Sequence, residues 1–175
     1  MSIHAVQLPG TTNPQPGPGL PSASRADPGV AEILAKARAR GTQAKLGYAG
    51  EVGPEEAWNL FMAGAAELVD VRTAEERKFV GYVPEVVHVA WATGTGMVRN
   101  PRFARELEAK VRKDAVVLFL CRSAQRSASA AEAAAKAGWA NAFNVLEGFE
   151  GDLDDRQHRG AVAGWRLRGL PWIQD

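Results

Sequence analysis

The stretch Ala115-Val116-Val117-Leu118-Phe119-Leu120-Cys121-Arg122-Ser123-Ala124-Gln125-Arg126-Ser127 decides how the rest of the chain is read. Six consecutive apolar residues show no alternation, so an extended segment here must be covered on both faces. Burial on both faces marks a central strand of a parallel sheet. A short polar loop follows, then an alanine-rich stretch from about Arg126 to Ala137 with high helix propensity. Gly138 stands where a helix-ending glycine belongs. Strand, loop and helix in this order form one unit of an α/β fold.

Cys121 therefore falls at the C-terminal end of a buried strand, where open α/β sheets gather their ligands. The turn into the helix leaves several backbone N–H groups without intrahelical partners, all near the thiol. Such donors form an anion-binding concavity, and the helix dipole adds roughly half a positive charge. Arg122 and Arg126 supply two full charges. Each contribution favours thiolate over thiol, so Cys121 is expected to act as a nucleophile that needs no histidine partner. A lone cysteine is ordinarily a small buried hydrophobe, but a space-filling residue does not need two arginines placed behind it.

Working outward, Ala142 to Val145 reads as the next strand, and Asn100-Pro101 caps a helix bearing Phe103, Leu107 and Val111. Ala92 to Arg99 reads as a Gly-rich loop and Val86 to Val89 as a strand. Thr73 with Glu76 three residues later forms a capping box for a short helix. Before it, Ala66 to Val69 is a buried strand that runs into Asp70-Val71-Arg72. Gly53-Pro54 opens a helix with Ala57, Trp58 and Phe61 on its apolar face, closed by Gly64. Strands alternating with helices predict a central, mainly parallel sheet flanked by helices on both faces.

The N-terminal region reads differently. Residues 9 to 28 hold six of the chain's ten prolines, interleaved with Gly, Ser and Thr. That composition buries too little apolar surface to offset chain entropy, so residues 1–26 are expected to be a disordered tail. Residues 27–45 read as an extra helix and linker, with Asp27 as N-cap, Val30, Ile33, Leu34 and Ala37 at helical spacing, and Gly41 as the stop. The α/β domain then occupies 46–175.

Bulk properties exclude several classes. A chain of 175 residues with 46% hydrophobic and 23% charged residues suits one globular domain. A net charge of +1 carries no field that would attract nucleic acid or a membrane surface. One cysteine makes no internal disulfide and no Cys-based zinc site, and His4, His88 and His158 lack metal-ligand spacing. No apolar run approaches the roughly 20 residues of a membrane span, and the first residues do not resemble a signal peptide. A reducing cytoplasm is the expected location, with no metal or organic cofactor.

The segment Cys121 to Ser127 resembles the active-site loop of the rhodanese family of sulfurtransferases. Leu68-Val69-Asp70-Val71-Arg72 resembles that family's L-D-V-R segment, and Gly81-Tyr82-Val83-Pro84-Glu85-Val86 its G-H-I-P-G-A segment. Asn144 to Phe149, with Gly164-Trp165 and Gly169-Leu170-Pro171, resembles its C-terminal V-L-x-G-G…W…G-x-P pattern. Tyr82 and Glu85 depart from the pattern, and Trp91 to Asn100 is longer and richer in Gly, which points to specialised acceptor recognition there.

The resemblance implies a rhodanese-like fold and a thiosulfate-type sulfurtransferase working through a persulfide on Cys121. Arg122, Ser123, Ala124, Gln125, Arg126 and Ser127 would form the substrate-binding loop. Asp70 and Arg72 would support it, as a structural ion pair more than as direct participants. The implied partners are a small anionic sulfur donor and a thiol, cyanide or protein-cysteine acceptor, with a homodimer also compatible. The alternatives are a non-catalytic binding or regulatory module and, less favoured, a cysteine phosphatase or arsenate reductase. Phosphatases of this fold have a longer loop between cysteine and arginine than Cys121 and Arg126 allow.

Overall fold

The computed structural model describes residues 28–175. The expected tail and the Asp27 cap lie outside the described residues. The elements are α1 (Pro28–Gln43), β1 (Gly50–Val52), α2 (Pro54–Met62), β2 (Glu67–Asp70), α3 (Ala74–Val80), β3 (Val87–His88), β4 (Ala92–Thr93), β5 (Val98–Arg99), α4 (Phe103–Glu108), β6 (Val117–Leu120), α5 (Gln125–Lys136) and β7 (Ala142–Val145).

Five strands form one sheet in the order β1-β7-β6-β2-β3, and every neighbouring pair is parallel. Alternate residues of β6 serve opposite layers. Val117 and Phe119 join a core with Phe103 and Leu107 of α4 and Ala130, Ala131 and Ala134 of α5. Leu118 and Leu120 join the other core, with Ala37 of α1 and Ala57 and Leu60 of α2. The apolar run is therefore covered on both faces by helices. Fully buried alanines on α5 let that helix lie close to the sheet. No helix among the described residues is long and apolar enough to cross a membrane.

This strand order positions the site. From β2 the chain moves through α3 to β3 on one side, and from β6 it moves through α5 to β7 on the other. The boundary between β2 and β6 is thus a topological switch point, the place where open parallel sheets leave a crevice at their C-terminal ends. Asp70 pairs with Leu120 across that boundary. Cys121 and Val71-Arg72 emerge there side by side.

Three local expectations are corrected. Helix α1 does not stop at Gly41 but runs to Gln43. Gly41 is needed for another reason, because a Cβ there would stand 2.7 Å from the Ala49 carbonyl oxygen and 2.8 Å from Gly50 Cα. The residue sets how closely α1 lies on β1, and Val30, Ile33 and Leu34 of α1 pack against the core. The segment Ala92 to Arg99 is a two-stranded antiparallel hairpin, not a plain loop. Helix α4 ends at Glu108, so Val111 packs from beyond it. Strand β1, only three residues long, was not foreseen.

Candidate active site

The loop after β6 is shaped by where its carbonyls go. Cys121 C=O accepts from Phe149 N–H at 2.7 Å, and Arg122 C=O accepts from Glu150 and Gly151 N–H at 3.0 and 3.2 Å. Ala124 takes a left-handed conformation, φ 69°, and its carbonyl accepts the N–H of Ala128 at the start of α5. With the carbonyls committed outward, the backbone N–H groups of Arg122, Ser123, Ala124, Gln125, Arg126 and Ser127 make no hydrogen bond among the described residues. Unbonded successive N–H groups around one turn form a concave donor nest that suits an anion.

Cys121 stands at the base of this nest and is 1% exposed. Its Sγ lies 3.2 Å from Ser127 Oγ. The Ser127 hydroxyl is also 3.1 Å from Ala124 O and 2.7 Å from Asn144 Oδ1. Asn144, buried on β7, donates from Nδ2 to Glu51 Oε1 at 3.3 Å, and Tyr48 O–H donates to the same oxygen at 3.2 Å. Burial, reinforced by the Glu51 charge, pushes the Tyr48 phenol up to about 12, so it remains a donor across the neutral range. A polar chain therefore leads from the sulfur through β7 to β1.

The two loop arginines differ. Arg126 makes a bidentate pair with Glu76, with Nη1–Oε2 at 2.7 Å and Nη2–Oε1 at 2.6 Å. Among the described residues it bonds no loop carbonyl, and Glu76 engages both of its terminal nitrogens. Glu76 supplies the countercharge that a cation at a helix N-terminus requires. The same carboxylate accepts from Thr73 N–H as part of the α3 capping box. Burial opposes the Glu76 charge, but Arg126 and the Thr73 N–H outweigh it and hold the carboxyl below its usual range. Arg126 also reaches Met97 Sδ at 3.7 Å, which brings the β4–β5 hairpin to the rim of the loop. Arg122, by contrast, has no ion pair among the described residues, and its buried Nε has no partner.

Asp70 and Arg72 form a pair that is fully buried. Asp70 accepts from Arg72 N–H at 3.0 Å, from its Nε at 3.0 Å and Nη2 at 2.7 Å, and from Arg77 Nη1 at 3.0 Å. Burial pushes against the Asp70 charge, and the Arg72 guanidinium beside it, with Arg77, holds the carboxyl below the ordinary aspartate range. The Arg72 guanidinium stacks 3.9 Å above the Phe149 ring. Phe149 is the residue whose N–H holds the Cys121 carbonyl, so this pair braces the loop from behind. His88 is bonded through Nε2 to Arg72 O at 2.8 Å and is a structural ligand of the backbone.

Ser123 and Ala124 complete the turn, and Gln125 opens α5 with its side chain exposed. Sequence reasoning brought the loop together with Asp70 and Arg72 but missed Glu76 as the partner of Arg126. It also missed Asn144, Glu51 and Tyr48. The polar Asn144 within an apolar strand was the available signal for that chain.

Comparison with known proteins agrees with this architecture. The family model described as Rhodanese-like domain matches residues 53–154. The uncharacterized protein RP600 of Rickettsia prowazekii is 35% identical over 115 residues, covering 65% of this chain and 87% of its own. The crystal structure of Rv0390 from M. tuberculosis is 47% identical with a TM-score of 0.67, covering 73% of this chain and 99% of that one. A polysulfide-sulfur transferase homodimer from Wolinella succinogenes, 22% identical with a TM-score of 0.50, shares the fold over 86% of this chain and 95% of its own. Fold, cysteine loop and sequence match converge, and the chain belongs to the rhodanese-like domain family.

Proposed function

We propose that the protein is a sulfurtransferase that carries sulfane sulfur as a persulfide on Cys121. The observation that carries this reading is the ring of unbonded N–H groups around a cysteine at the switch point of the sheet. The Cys121 thiolate attacks the outer sulfur of a small anionic donor such as thiosulfate. A sulfur–sulfur bond forms to Cys121 as the donor's own sulfur–sulfur bond breaks, and sulfite leaves with that electron pair. The outer sulfur then carries the negative charge, and the loop N–H groups face it. Arg122, which has no ion pair among the described residues and a buried Nε without a partner there, supports donor binding. A thiol, cyanide or a protein cysteine removes the sulfur in a second step, giving ping-pong kinetics without a cofactor.

The phosphatase reading is opposed by the loop arginine: Arg126 is engaged by Glu76 on both terminal nitrogens and is not offered to a substrate. Intact-protein mass spectrometry after incubation with thiosulfate tests the proposal, comparing wild type with Cys121→Ser. A gain of one sulfur atom on wild type alone, discharged by cyanide, is expected. Folded, reduced wild type that takes up no sulfur would favour a binding module over this transfer reaction.

A further inference from the structure

The polar chain behind the sulfur takes no part in the transfer step described above. The Ser127 hydroxyl has one proton and three acceptors in reach: Asn144 Oδ1 at 2.7 Å, Ala124 O at 3.1 Å and Cys121 Sγ at 3.2 Å. One proton serves one strong bond at a time. The Asn144 amide is pinned, because Glu51 Oε1 takes its N–H at 3.3 Å and is itself held by Tyr48 O–H. The face turned to Ser127 is therefore the carbonyl oxygen, which accepts a proton and has none to give. Ser127 and Asn144 are both almost completely buried, so water does not substitute for these partners.

We propose that Ser127 is a two-position proton switch and that Asn144 is the positioning residue that sets it. While Cys121 Sγ carries the negative charge, a charge-assisted bond from Ser127 to sulfur is the stronger choice. When the outer sulfur of the donor bonds to Sγ, the electron pair that was the charge becomes the new bond. The charge then sits on the outer sulfur and Sγ is neutral. The Ser127 proton now gains more by turning to Asn144 Oδ1. Asn144 thus stabilises the loaded state selectively, and Glu51 acts through it by fixing the amide. This inference rests on the persulfide reading proposed above.

The test measures the ratio of persulfide to free Cys121 by intact mass at a fixed ratio of thiosulfate to sulfite. Asn144→Leu keeps the branched shape and removes the acceptor, and the loaded fraction relative to free enzyme is expected to fall about threefold, the scale of one neutral hydrogen bond. In a Ser127→Ala background the same substitution is expected to change nothing further, since the switch is already gone. If Asn144→Leu does not fold, Glu51→Met serves instead: it removes the acceptor that pins the amide, which is then released to flip, and a smaller fall in the same direction is expected. An Asn144→Leu protein that loads as wild type does overturns the proposal. So does an equal fall in the Ser127→Ala background, which would mark a merely structural effect. Wild type that takes up no sulfur defeats the persulfide reading itself, and this inference with it.

Discussion

Gly148 and Arg122 are in backbone contact: a Cβ on residue 148 would stand 2.5 Å from both the carbonyl carbon and the carbonyl oxygen of Arg122, and 2.6 Å from Ser123 N. Gly148 also has φ 71°, a conformation that L side chains adopt at a cost. The contact places the Phe149, Glu150 and Gly151 N–H groups on the Cys121 and Arg122 carbonyls, which in turn frees the loop N–H groups.

Gly148→Ala is therefore expected to disturb the loop itself. The backbone overlap and the unfavourable φ together predict a loss of roughly 2–4 kcal/mol in stability. Sulfur uptake on Cys121 should fall by much more than the unfolded fraction explains. Denaturant midpoints and persulfide loading on the folded fraction check both. A variant with wild-type loading would show that the loop does not depend on this contact.

The ion pairs around the loop predict an acid limb in stability. Glu76 and Asp70 both have folded carboxyls held below their ordinary range. A lowered folded pKa stabilises above the unfolded pKa and is lost as pH falls through the folded one. The two groups therefore stabilise fully at neutral pH, and stability declines as pH falls below about 5. Glu76→Gln removes the charge partner of Arg126 and is expected to cost about 1.5–3 kcal/mol at pH 7. The difference from wild type should narrow as the medium becomes more acid. Urea midpoints from pH 7 to pH 3 provide the check, and a pH-independent gap would mean that the charge on Glu76 contributes nothing.

What the sequence disclosed follows a physical rule. Features written within one turn or one strand were legible: the two-sided burial of Val117 to Leu120, the Thr73–Glu76 capping box, and the placement of Cys121 at a strand end. Arg126 finding Glu76, fifty residues away, was not, because a bidentate pair depends on how α3 and the loop are brought together by the switch in strand order. Asn144 and Glu51 meet only because β1 lies beside β7. Strand β1 is too short to show alternation. Gly41 was misread because a glycine that permits close approach looks, in sequence, the same as one that ends a helix.

That close approach carries its own prediction. Gly50 faces the Ala37 carbonyl so tightly that a Cβ would overlap it. Gly50→Ala should push α1 away from β1 and uncover part of the core shared with Val52, Ala57 and Leu60. A loss of about 2–4 kcal/mol is expected, with earlier hydrogen exchange in α1 than in β6. Uniform protection across both elements would place the weakness elsewhere.

Arg122 is the loop cation whose removal should touch binding and little else. It has no ion pair among the described residues, so Arg122→Ala leaves no orphaned carboxylate behind. In the transfer reaction proposed above, its charge would attract a donor that is a dianion in the case of thiosulfate. Removing an interaction made equally in the ground and transition states raises KM and leaves kcat largely unchanged. An increase in KM of about tenfold is expected, the scale of one charge-assisted bond, with Tm close to wild type. Arg122→Lys should recover part of the loss through charge, but not all, because the planar fork is gone. A fall in kcat at unchanged KM would instead assign Arg122 to the transfer step, where it would be stabilising the charge that develops on sulfite. A fall in Tm would reveal a structural partner for the guanidinium and remove it from donor recognition.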